Sequence, residues 1–292
     1  MADLQPAVVH THLFGSDFWG RLAARTAGIR SIVTTEHNVN PDLGFVRTSL
    51  LKLLKGLSLK YIAISQSVEK YLKDIIGVPA DRIRLIYNGL DLKHIIPRTG
   101  SAWRDVPRLI FVGRLEPQKD PELILRALAP IRKPWALAMV GVGSLESQLK
   151  ELAEELKISA RVSFLGRRED VPELLADHDL FLFPSRWEGF GLAVIEAAAA
   201  GVPVLASDLP VLRELLTPDQ ATFLPPGDEE AWTQAIDSAL ADSAPLAMKA
   251  QHAAAADWSR FSQERMAEQY AKLYRELETP SNSPLNKGER TL

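Results

Sequence analysis

Two carboxylates interrupt an otherwise apolar segment, PSRWEGFGLAVIEAAAAG, at Glu188 and Glu196. The pattern predicts a helix that begins near Phe190–Gly191 and ends at Gly201, with free N–H groups that could bind a phosphate. Glu196, about a turn and a half into this helix, could accept hydrogen bonds from the vicinal hydroxyls of a ribose. Glu188 would then face whatever lies beyond the phosphates. The alternative is a surface helix with two solvated acids.

A second pattern, FVGRLEPQKDPELIL, places two cations after an apolar run. Arg114 follows Gly113 at the end of a predicted strand, and Lys119 stands just before a predicted helix. An arginine can bind a phosphate through two parallel N–H groups, and a lysine acts as a mobile point charge. Two cations and a helix N-terminus could neutralise a departing diphosphate without a metal ion. Taken alone, these residues are also typical of surface charge.

Apolar runs alternate with amphipathic stretches along nearly the whole chain, which predicts an α/β fold with parallel sheets covered on both faces. Ten strands are expected: Ala7–His10, Ser31–Thr35, Tyr61–Ser65, Ile83–Tyr87, Leu109–Val112, Ala136–Val140, Val162–Leu165, Leu180–Phe183, Pro203–Ala206 and Thr222–Leu224. Ten strands exceed one doubly wound sheet, so the Pro- and Gly-containing segment Asp91–Arg108 is interpreted as a linker between two Rossmann-like domains. The predicted boundaries are 1–97 and 98–258 for the domains, 259–278 for a closing helix and 279–292 for a disordered tail.

The first predicted domain is unusual at its beginning. A doubly wound domain normally opens with a strand, a glycine-rich turn and a helix. No segment of this kind precedes Ala7, where the first expected strand begins. We therefore expect the first domain to be truncated at its N-terminus.

Composition excludes several classes of protein. The chain is 46% hydrophobic and 24% charged, as soluble globular proteins are, and its net charge of -3 gives no pull toward nucleic acid. It contains no cysteine, which excludes disulfides and thiolate metal sites and fits a cytoplasmic location. The segment Met1–Pro6 lacks the basic and apolar regions of a signal peptide. No apolar run approaches the ~18–20 residues of a membrane span.

The charge is distributed unevenly. Residues 1–97 contain 12 basic and 8 acidic side chains, a net of +4, whereas the other 195 contain 22 and 29, a net of -7. Within the basic part, the apolar segment Phe45–Tyr61 carries four spaced cations. It is interpreted as a surface helix with one face in the core, or as a contact with an anionic membrane or acceptor.

The sequence FVGRLEPQKD, followed by FLGRREDVPELLADHDLFLFPSRWEGFGLAVIEAAAAGVPVLASDLP, closely resembles the signature of glycosyltransferase family 4. That family has the two-domain GT-B fold and retaining chemistry. VVHTHLFGSDFWGRLAA, IYNGLD and WSRFSQERMAEQYAKLYREL resemble its first-domain strand and helix, its interdomain segment and its closing helices, so the resemblance covers nearly the whole chain.

The resemblance implies a role for each matching residue. Arg114 and Lys119 would bind the donor diphosphate and stabilise the departing nucleotide. Glu188 would contact the transferred sugar, and Glu196 would hold the ribose. His12 would face the sugar and the acceptor, unless it is a structural histidine. The remaining donor-binding positions would be Gly113, Gly166, Arg167, Phe190, Gly191 and Leu192.

The implied activity is transfer of a sugar from a nucleotide-diphosphate donor to a hydroxyl of a glycan or lipid-linked acceptor, by same-face attack and without a metal or other cofactor. The implied partners are the donor and the acceptor, with peripheral contact at the inner face of the membrane and none with nucleic acid. Two alternatives stay open. One is an incomplete, non-catalytic nucleotide-binding fragment, and the other is a nucleotide-sugar epimerase, which would call for acid–base residues in both domains.

Three further patterns need an interpretation. Asp177–Asp179 has the form of a metal-binding Asp-x-Asp, but it precedes a buried strand and so lies at the wrong sheet edge; a cap-and-turn role is expected. Val140–Ser144 contains Gly-x-Gly without the rest of the dinucleotide pattern, which predicts a tight turn near the donor and no NAD site. His37 ends a first-domain strand and could line the acceptor site or merely finish the strand.

Overall fold

The structure, a computed structural model, describes residues 4–39, 44–100 and 103–278. The chain divides into two compact units, the first formed by Met1–Gly89 with Arg260–Leu292 and the second by Leu90–Ser259. The units thus divide after residues 89 and 259, whereas the sequence patterns placed the boundaries after residues 97 and 258. The tail predicted over 279–292 lies outside the described residues.

The first unit contains a parallel four-stranded sheet with the order β1-β2-β3-β4. Its strands are β1 (Val9–His12), β2 (Ile32–Glu36), β3 (Lys60–Ala63) and β4 (Ile83–Leu85). The connecting helices are α1 (Phe14–Thr26), α2 (Gly44–Leu54) and α3 (Gln66–Tyr71), the last continued by a π-helical turn over Leu72–Ile76. Strand and helix alternate because each crossover between parallel strands needs a covering element.

The helix predicted over Phe45–Tyr61 is wrong in its second half. The helix α2 ends at Leu54, and Tyr61 lies in β3, where it pairs in register with Thr34 of β2. Gly56 follows the last turn and disfavours continuation, because glycine loses more backbone freedom in a helix than any other residue. The apolar run that begins at Tyr61 then satisfies its backbone groups in the sheet.

The second unit contains a parallel six-stranded sheet with the order β10-β9-β8-β5-β6-β7. Its strands are β5 (Arg108–Val112), β6 (Ala136–Val140), β7 (Val162–Gly166), β8 (Leu180–Phe183), β9 (Val204–Ser207) and β10 (Thr222–Leu224). Its helices are α4 (Pro121–Leu128), α5 (Glu146–Glu155), α6 (Val171–Ala176), α7 (Leu192–Ala199), α8 (Pro210–Leu215), α9 (Glu229–Ala241) and α10 (Ala244–Ala254). All ten predicted strands are confirmed, with ends shifted by two residues at most.

The strand order of the second unit fixes where a ligand would bind. The chain enters the sheet at β5, extends it through β6 and β7 on one side, and then returns to add β8, β9 and β10 on the other. The order therefore reverses between β5 and β8. In open parallel sheets, ligands bind outside the carboxyl ends of the strands at this switch point.

The last helix, α11 (Gln263–Glu278), belongs to the first unit although it follows the second in sequence. Leu273 and Leu277 of α11 pack in one apolar cluster with Val33 and Ile62 of the first sheet and with Ile86, which follows β4. This packing supplies much of the apolar cover that a four-stranded sheet needs on one face. Within the described part of the chain, no helix is both long and apolar enough to cross a membrane.

Candidate functional site

The carboxyl ends of β5 and β8 bring two of the predicted site residues into contact. Lys119 ends the short turn that follows β5, and Glu188 lies in the loop after β8. The Nζ of Lys119 donates a hydrogen bond to Oε1 of Glu188 and lies 4.9 Å from the centre of the Phe183 ring. The two charged side chains are only 15% and 7% exposed. Since little water screens this pair, a bound anion would interact strongly with its cation.

A serine that the sequence analysis missed holds the carboxylate of this pair. Ser185 is fully buried at the end of β8, and its Oγ–H donates to Oε1 of Glu188 at 2.7 Å. The same oxygen therefore accepts from Ser185 and from Lys119. A buried carboxylate needs such donors, and here they also fix its orientation at the switch point.

Replacing Ser185 by alanine should lower kcat about tenfold for the sugar transfer that the sequence resemblance implies, while KM for the implied donor changes less. Loss of one hydrogen bond to a charged group costs about 1.5–3 kcal/mol, and part of this loss would appear as misorientation of Glu188. Steady-state kinetics would measure the effect. Ser163→Ala, at an exposed position on β7, is the matched control and should leave both constants unchanged. Equal kinetics for the two variants would contradict the role given to Ser185.

Polar contacts tie the loop after β5 to the loop after β8. Gln118 accepts from Nη2 of Arg114 at 2.9 Å and donates from Nε2 to the carbonyl of Trp187 at 3.0 Å. Asp120, in the left-handed region at φ 47°, accepts from Nε of Arg186 at 2.9 Å. Arg114 is exposed at this edge. These links hold the two loops in one arrangement, and none of them follows from the local sequence patterns.

Glycines allow the ends of the central strands to approach one another closely. A Cβ on Gly141 would lie 1.9 Å from the carbonyl oxygen of Gly113, and one on Gly143 would lie 2.2 Å from that of Leu115. Gly141 also donates its N–H to the carbonyl of Gly166 at 2.8 Å. The turn expected over residues 140–144 lies at Ser144–Leu145, where Glu146 donates its N–H to the carbonyl of Gly143 at 3.3 Å. The two glycines before it pack backbone against backbone beside β5.

The helix α7 begins and ends where the pattern predicted. It starts at Leu192, directly after Gly191 with φ 125°, and Gly201 at φ 73° follows its end. Phe190 before it is buried. The free N–H groups of this first turn lie at the carboxyl edge of the sheet, where an anion would be stabilised.

Glu196 lies on the second turn of α7 and is half-buried. Burial raises the pKa of its carboxyl above the usual range. Glu196 borders a cavity of about 110 Å³ that is also lined by Pro172 and Leu175 of α6. A half-buried carboxylate beside a cavity suits hydrogen bonding to ligand hydroxyls. Gly166 and Arg167 lie at the same sheet edge, two strands from β5, and Arg167 is exposed.

The predicted acceptor-side residue, His12, lies in the first unit at the carboxyl end of β1. Its Nδ1 lies 2.9 Å from Nε2 of His37, which follows β2. Between two ring nitrogens at this distance, one must donate and the other accept. Burial, with the nearby His12, lowers the pKa of His37. The structure thus joins His37, which the sequence left undecided, to His12.

His10 lies in β1, as the predicted strand Ala7–His10 implied, and its ring packs beside the His12–His37 pair. Its Nδ1 lies 2.6 Å from the hydroxyl of Tyr274 of α11, its Nε2 lies 2.7 Å from Oγ1 of Thr35, and its ring centre lies 4.2 Å from that of His12. Burial, together with His12 and His37, lowers the pKa of His10 to about 4. His10 is therefore neutral near pH 7 and fixes one wall of the histidine cluster.

A half-buried acid, Glu36, directly precedes His37 in the sequence. Oε1 of Glu36 accepts from the backbone N–H groups of His37 and Asn38 at 3.1 and 3.3 Å. Burial, and then the charge of Asp17, raise the pKa of Glu36 to about 7, against the opposing effect of Arg21. The folded-state pKa exceeds the ordinary value of 4.5. Protonated Glu36 therefore contributes stability that is fully present below pH 4.5 and is lost as the pH rises through about 7.

Glu36→Gln should therefore raise the free energy of unfolding at pH 8.5 by about 1–2 kcal/mol and leave it unchanged at pH 4.5. This figure is below the full value of the shift because the side chain is only half-buried. Urea denaturation followed by circular dichroism at both pH values would measure it. The control is Glu276→Gln, for which no such gain is expected, because Arg84 lowers the pKa of that exposed carboxyl instead of raising it. A gain for Glu36→Gln that is equal at both pH values would contradict the assignment.

The Asp-x-Asp sequence lies at the opposite, amino edge of the second sheet, as predicted. Asp179 is fully buried before β8 and accepts from Arg98 at 2.8 Å, from Arg104 at 3.2 Å and from the backbone N–H of Arg108 at 2.8 Å. Asp177 pairs with Arg104 at 2.6 Å. Besides lying at the turn before β8, Asp177 and Asp179 therefore hold several arginine side chains in place. Among the described residues, no three His, Asp or Glu side chains are grouped as a metal site would require.

Taken together, the fold and the carboxyl edge of the second sheet define a protein with two Rossmann-like units, the second of which carries the Lys119–Glu188 pair at its switch point. Residues 98–257 match the family model described as glycosyl transferases group 1, and residues 1–94 match the model of glycosyltransferase family 4. The first match covers more than half of the chain, and the chain belongs to the group 1 glycosyl transferases. The resemblance to glycosyltransferase family 4 seen in the sequence motifs is confirmed.

Individual relatives agree with this assignment. The chain is 30% identical over 69% of its length to an Escherichia coli enzyme named UDP-Gal:alpha-D-GlcNAc-diphosphoundecaprenol alpha-1,3-galactosyltransferase. It is also 33% identical over 70% of its length to the D-inositol 3-phosphate glycosyltransferase of Corynebacterium urealyticum. The matches span 58% and 53% of those two proteins, so the chain corresponds to little more than half of each.

A solved structure confirms the fold. The sucrose-phosphate synthase of Thermosynechococcus elongatus superimposes with a TM-score of 0.83 at 26% identity, over 93% of this chain and 73% of that one. The predicted pair of Rossmann-like domains, the GT-B arrangement of parallel sheets and helices, is therefore confirmed.

Proposed function

We propose that this protein is a retaining glycosyltransferase that moves a sugar from a nucleotide-diphosphate donor to a hydroxyl of a glycan or lipid-linked acceptor. The observation that carries the proposal is the largely buried Lys119–Glu188 pair at the switch point of the second sheet, in the loops that precede α7. Membership of the group 1 glycosyl transferases supports the class of reaction.

The donor-binding roles follow from charge and position. Lys119 and Arg114 follow β5 at the edge where the N–H groups of α7 also lie, so these groups would hold the diphosphate and stabilise its charge as it departs. Glu196 would accept from the ribose hydroxyls. Glu188, held by Ser185, would accept from hydroxyls of the transferred sugar. The positive charge needed by the leaving group thus comes from side chains, and we propose that no metal ion or other cofactor takes part.

In the proposed reaction, one bond at the anomeric carbon replaces another. The oxygen of the acceptor hydroxyl attacks the anomeric carbon from the face that the leaving group occupies, and the bond between that carbon and the diphosphate oxygen breaks. The hydroxyl proton passes to the departing phosphate, so the products are the glycosylated acceptor and the nucleoside diphosphate. Lys119 stabilises the negative charge that develops on the leaving oxygen. The anomeric configuration of the donor is retained.

We assign the acceptor side to the first unit. His12 is exposed, and its hydrogen bond to His37 leaves one ring nitrogen of each histidine outside the pair. Either histidine could accept a hydrogen bond from a sugar or acceptor hydroxyl. His10 would not contact the substrate, because both of its ring nitrogens already have protein partners; it would instead hold the neighbouring ring of His12 in position.

The donor and acceptor to test first come from the relatives. The Escherichia coli relative is named for UDP-galactose and for a diphosphoundecaprenol-linked sugar acceptor. We therefore propose a UDP-sugar donor and a lipid-linked acceptor, with the protein in the cytoplasm and in peripheral contact with the inner face of the membrane.

The test separates binding from transfer. Calorimetry with UDP, GDP and ADP would show whether the second unit binds a nucleoside diphosphate. Transfer from a panel of UDP-sugars to a GlcNAc-diphospholipid would be monitored by measuring the UDP released. NMR of the glycosylated lipid would give its anomeric configuration. Binding of UDP with transfer and an α-product from an α-donor is expected. Failure to bind any diphosphate would contradict the proposal, and binding without transfer would favour a nucleotide-binding protein.

A further inference from the structure

Leu13, between β1 and α1, has a backbone conformation that leucine rarely adopts. Its φ of 67° and ψ of 153° fall in a region restricted almost entirely to glycine. Among the described residues, the other non-glycine positions with positive φ are Gln5, Asp120 and Lys157, and all three are polar. A leucine has no polar side-chain group with which to stabilise such a backbone by a local hydrogen bond. The chain therefore keeps an apolar side chain at this position although the side chain strains the backbone.

Hydrogen bonds on both sides of Leu13 hold the strained conformation. The carbonyl of Leu13 accepts from the backbone N–H of Asp17 at 2.9 Å, in the first turn of α1. Oγ of Ser16 accepts from the backbone N–H of His12 at 3.2 Å and donates to the carbonyl of the same residue. None of these bonds involves the leucine side chain, so a glycine would form them without strain. The backbone path alone thus does not explain why a leucine stands here.

The side chain of Leu13 lies at the edge of the sheet where a ligand would bind. It is 65% exposed, so packing in the core does not account for it. It follows His12 at the carboxyl end of β1, the edge that binds ligands in open parallel sheets. The hydrogen bond between His12 and His37 leaves one ring nitrogen of each histidine outside the pair. This edge therefore presents polar nitrogens for hydroxyl groups beside an apolar side chain for C–H groups.

We propose that Leu13 is a specificity-determining residue that packs against the apolar C–H face of the acceptor sugar ring, while His12 and His37 bind hydroxyls of that ring. Covering this face excludes water from two apolar surfaces, which favours association. The strained backbone fixes the direction of the side chain before the acceptor arrives, so less freedom is lost on binding. The inference rests on the proposed function, because the acceptor hydroxyl must reach this edge for transfer to occur.

Three substitutions separate the side-chain contact from the strain. Leu13→Ala keeps the strain and removes most of the contact, so KM for the acceptor should rise about tenfold while KM for the donor is unchanged. Leu13→Gly should give the same rise in acceptor KM and also raise the melting temperature by about 2–4 °C, because glycine adopts this conformation freely. Leu13→Met keeps an apolar side chain of similar volume and should hold acceptor KM within about twofold of the wild type. Steady-state kinetics and scanning calorimetry would measure these effects.

Two matched controls lie away from this edge. Lys157 is exposed after α5 of the second unit and has a φ of 59°, so Lys157→Gly should raise the melting temperature and leave both KM values unchanged. Ile75, in the π-helical turn after α3, is 49% exposed. Ile75→Ala removes an exposed apolar side chain from the first unit and should also leave both KM values unchanged.

The acceptor probes distinguish a sugar contact from a lipid contact. They are GlcNAc diphosphates esterified either to an ethyl group or to a polyprenyl chain. A rise in acceptor KM that is equal for the two probes assigns the contact of Leu13 to the sugar ring. Calorimetry of each probe with the UDP-saturated protein measures acceptor binding independently of transfer.

Each outcome decides for or against the contact. Wild-type transfer with an unchanged acceptor KM in Leu13→Ala and Leu13→Gly would overturn the inference and leave the proposed function standing. A rise confined to the polyprenyl probe would overturn it in favour of a lipid contact, and a lower melting temperature for Leu13→Gly would contradict the strain. Probe binding that depends on Leu13 without transfer would support the contact and contradict the proposed function. Absence of probe binding to the wild type would contradict both.

Discussion

Replacing Lys119 by methionine should lower kcat for sugar transfer by about 10²–10³-fold, with a smaller change in KM for the donor. Methionine keeps an unbranched side chain of similar length but removes the cation, so the charge on the departing diphosphate loses a close partner. The expected size is that measured when one fixed donor to a developing oxyanion is removed. Steady-state kinetics with the donor identified by the panel would test it.

Lys119 also neutralises Glu188, and this second role needs its own control. Without the ammonium group, a carboxylate that is 7% exposed retains Ser185 as its one side-chain partner within the described parts of the chain, and the protein should lose stability. The double variant Lys119→Met/Glu188→Gln removes both charges and should regain most of that stability without regaining activity. Lys150→Met, at an exposed lysine paired with Glu146, should leave kcat unchanged. Recovery of activity in the double variant would contradict the role of Lys119.

Asp179→Ala should lower the free energy of unfolding of the second unit by about 3–5 kcal/mol. Asp179 is 0% exposed and Arg98 is 6% exposed, so the substitution leaves a buried guanidinium without its carboxylate. It also removes the acceptor for the backbone N–H of Arg108, where β5 begins. The loss therefore combines an unpaired charge with an unsatisfied backbone donor.

Tryptophan fluorescence during urea denaturation would measure this loss. Five of the six tryptophans lie in the second unit, namely Trp103, Trp135, Trp187, Trp232 and Trp258, so the signal reports mainly that unit. Asp177→Ala is the matched control, because its side chain is 52% exposed and its pairs with arginine should contribute about 1 kcal/mol or less. Equal destabilisation by the two variants would show that burial of Asp179 is not the cause.

The strands were predictable because their signal is local. Runs such as Leu180–Phe183 are buried on both faces of a parallel sheet, so every residue is apolar and no partner needs to be known. The prediction of a single helix over residues 45–61 was wrong in its second half for a related reason. Its apolar content fits a helix and a strand equally well, and only the pairing of Tyr61 with Thr34 decides where one ends and the other begins.

The candidate site was predictable in its residue types and only partly in its contacts. Glu188 and Glu196 stand out because they interrupt an otherwise apolar segment, and Arg114 and Lys119 stand out because they belong to the family signature. Their partners depend on side chains brought together by the strand order, and Lys119 and Glu188 are 69 residues apart. The link between His12 and His37 likewise depends on β1 and β2 being neighbours. No local pattern contains that information.

The return of α11 to the first unit has a consequence for how the molecule is made. The cluster that joins Leu273 and Leu277 to Val33, Ile62 and Ile86 needs residues from both ends of the described chain. During synthesis from the amino end, the four strands of the first unit must wait, with one apolar face incompletely covered, until the whole second unit has emerged. The unit that is translated first is therefore the one completed last, and the second unit, Leu90–Ser259, is the part able to fold during translation.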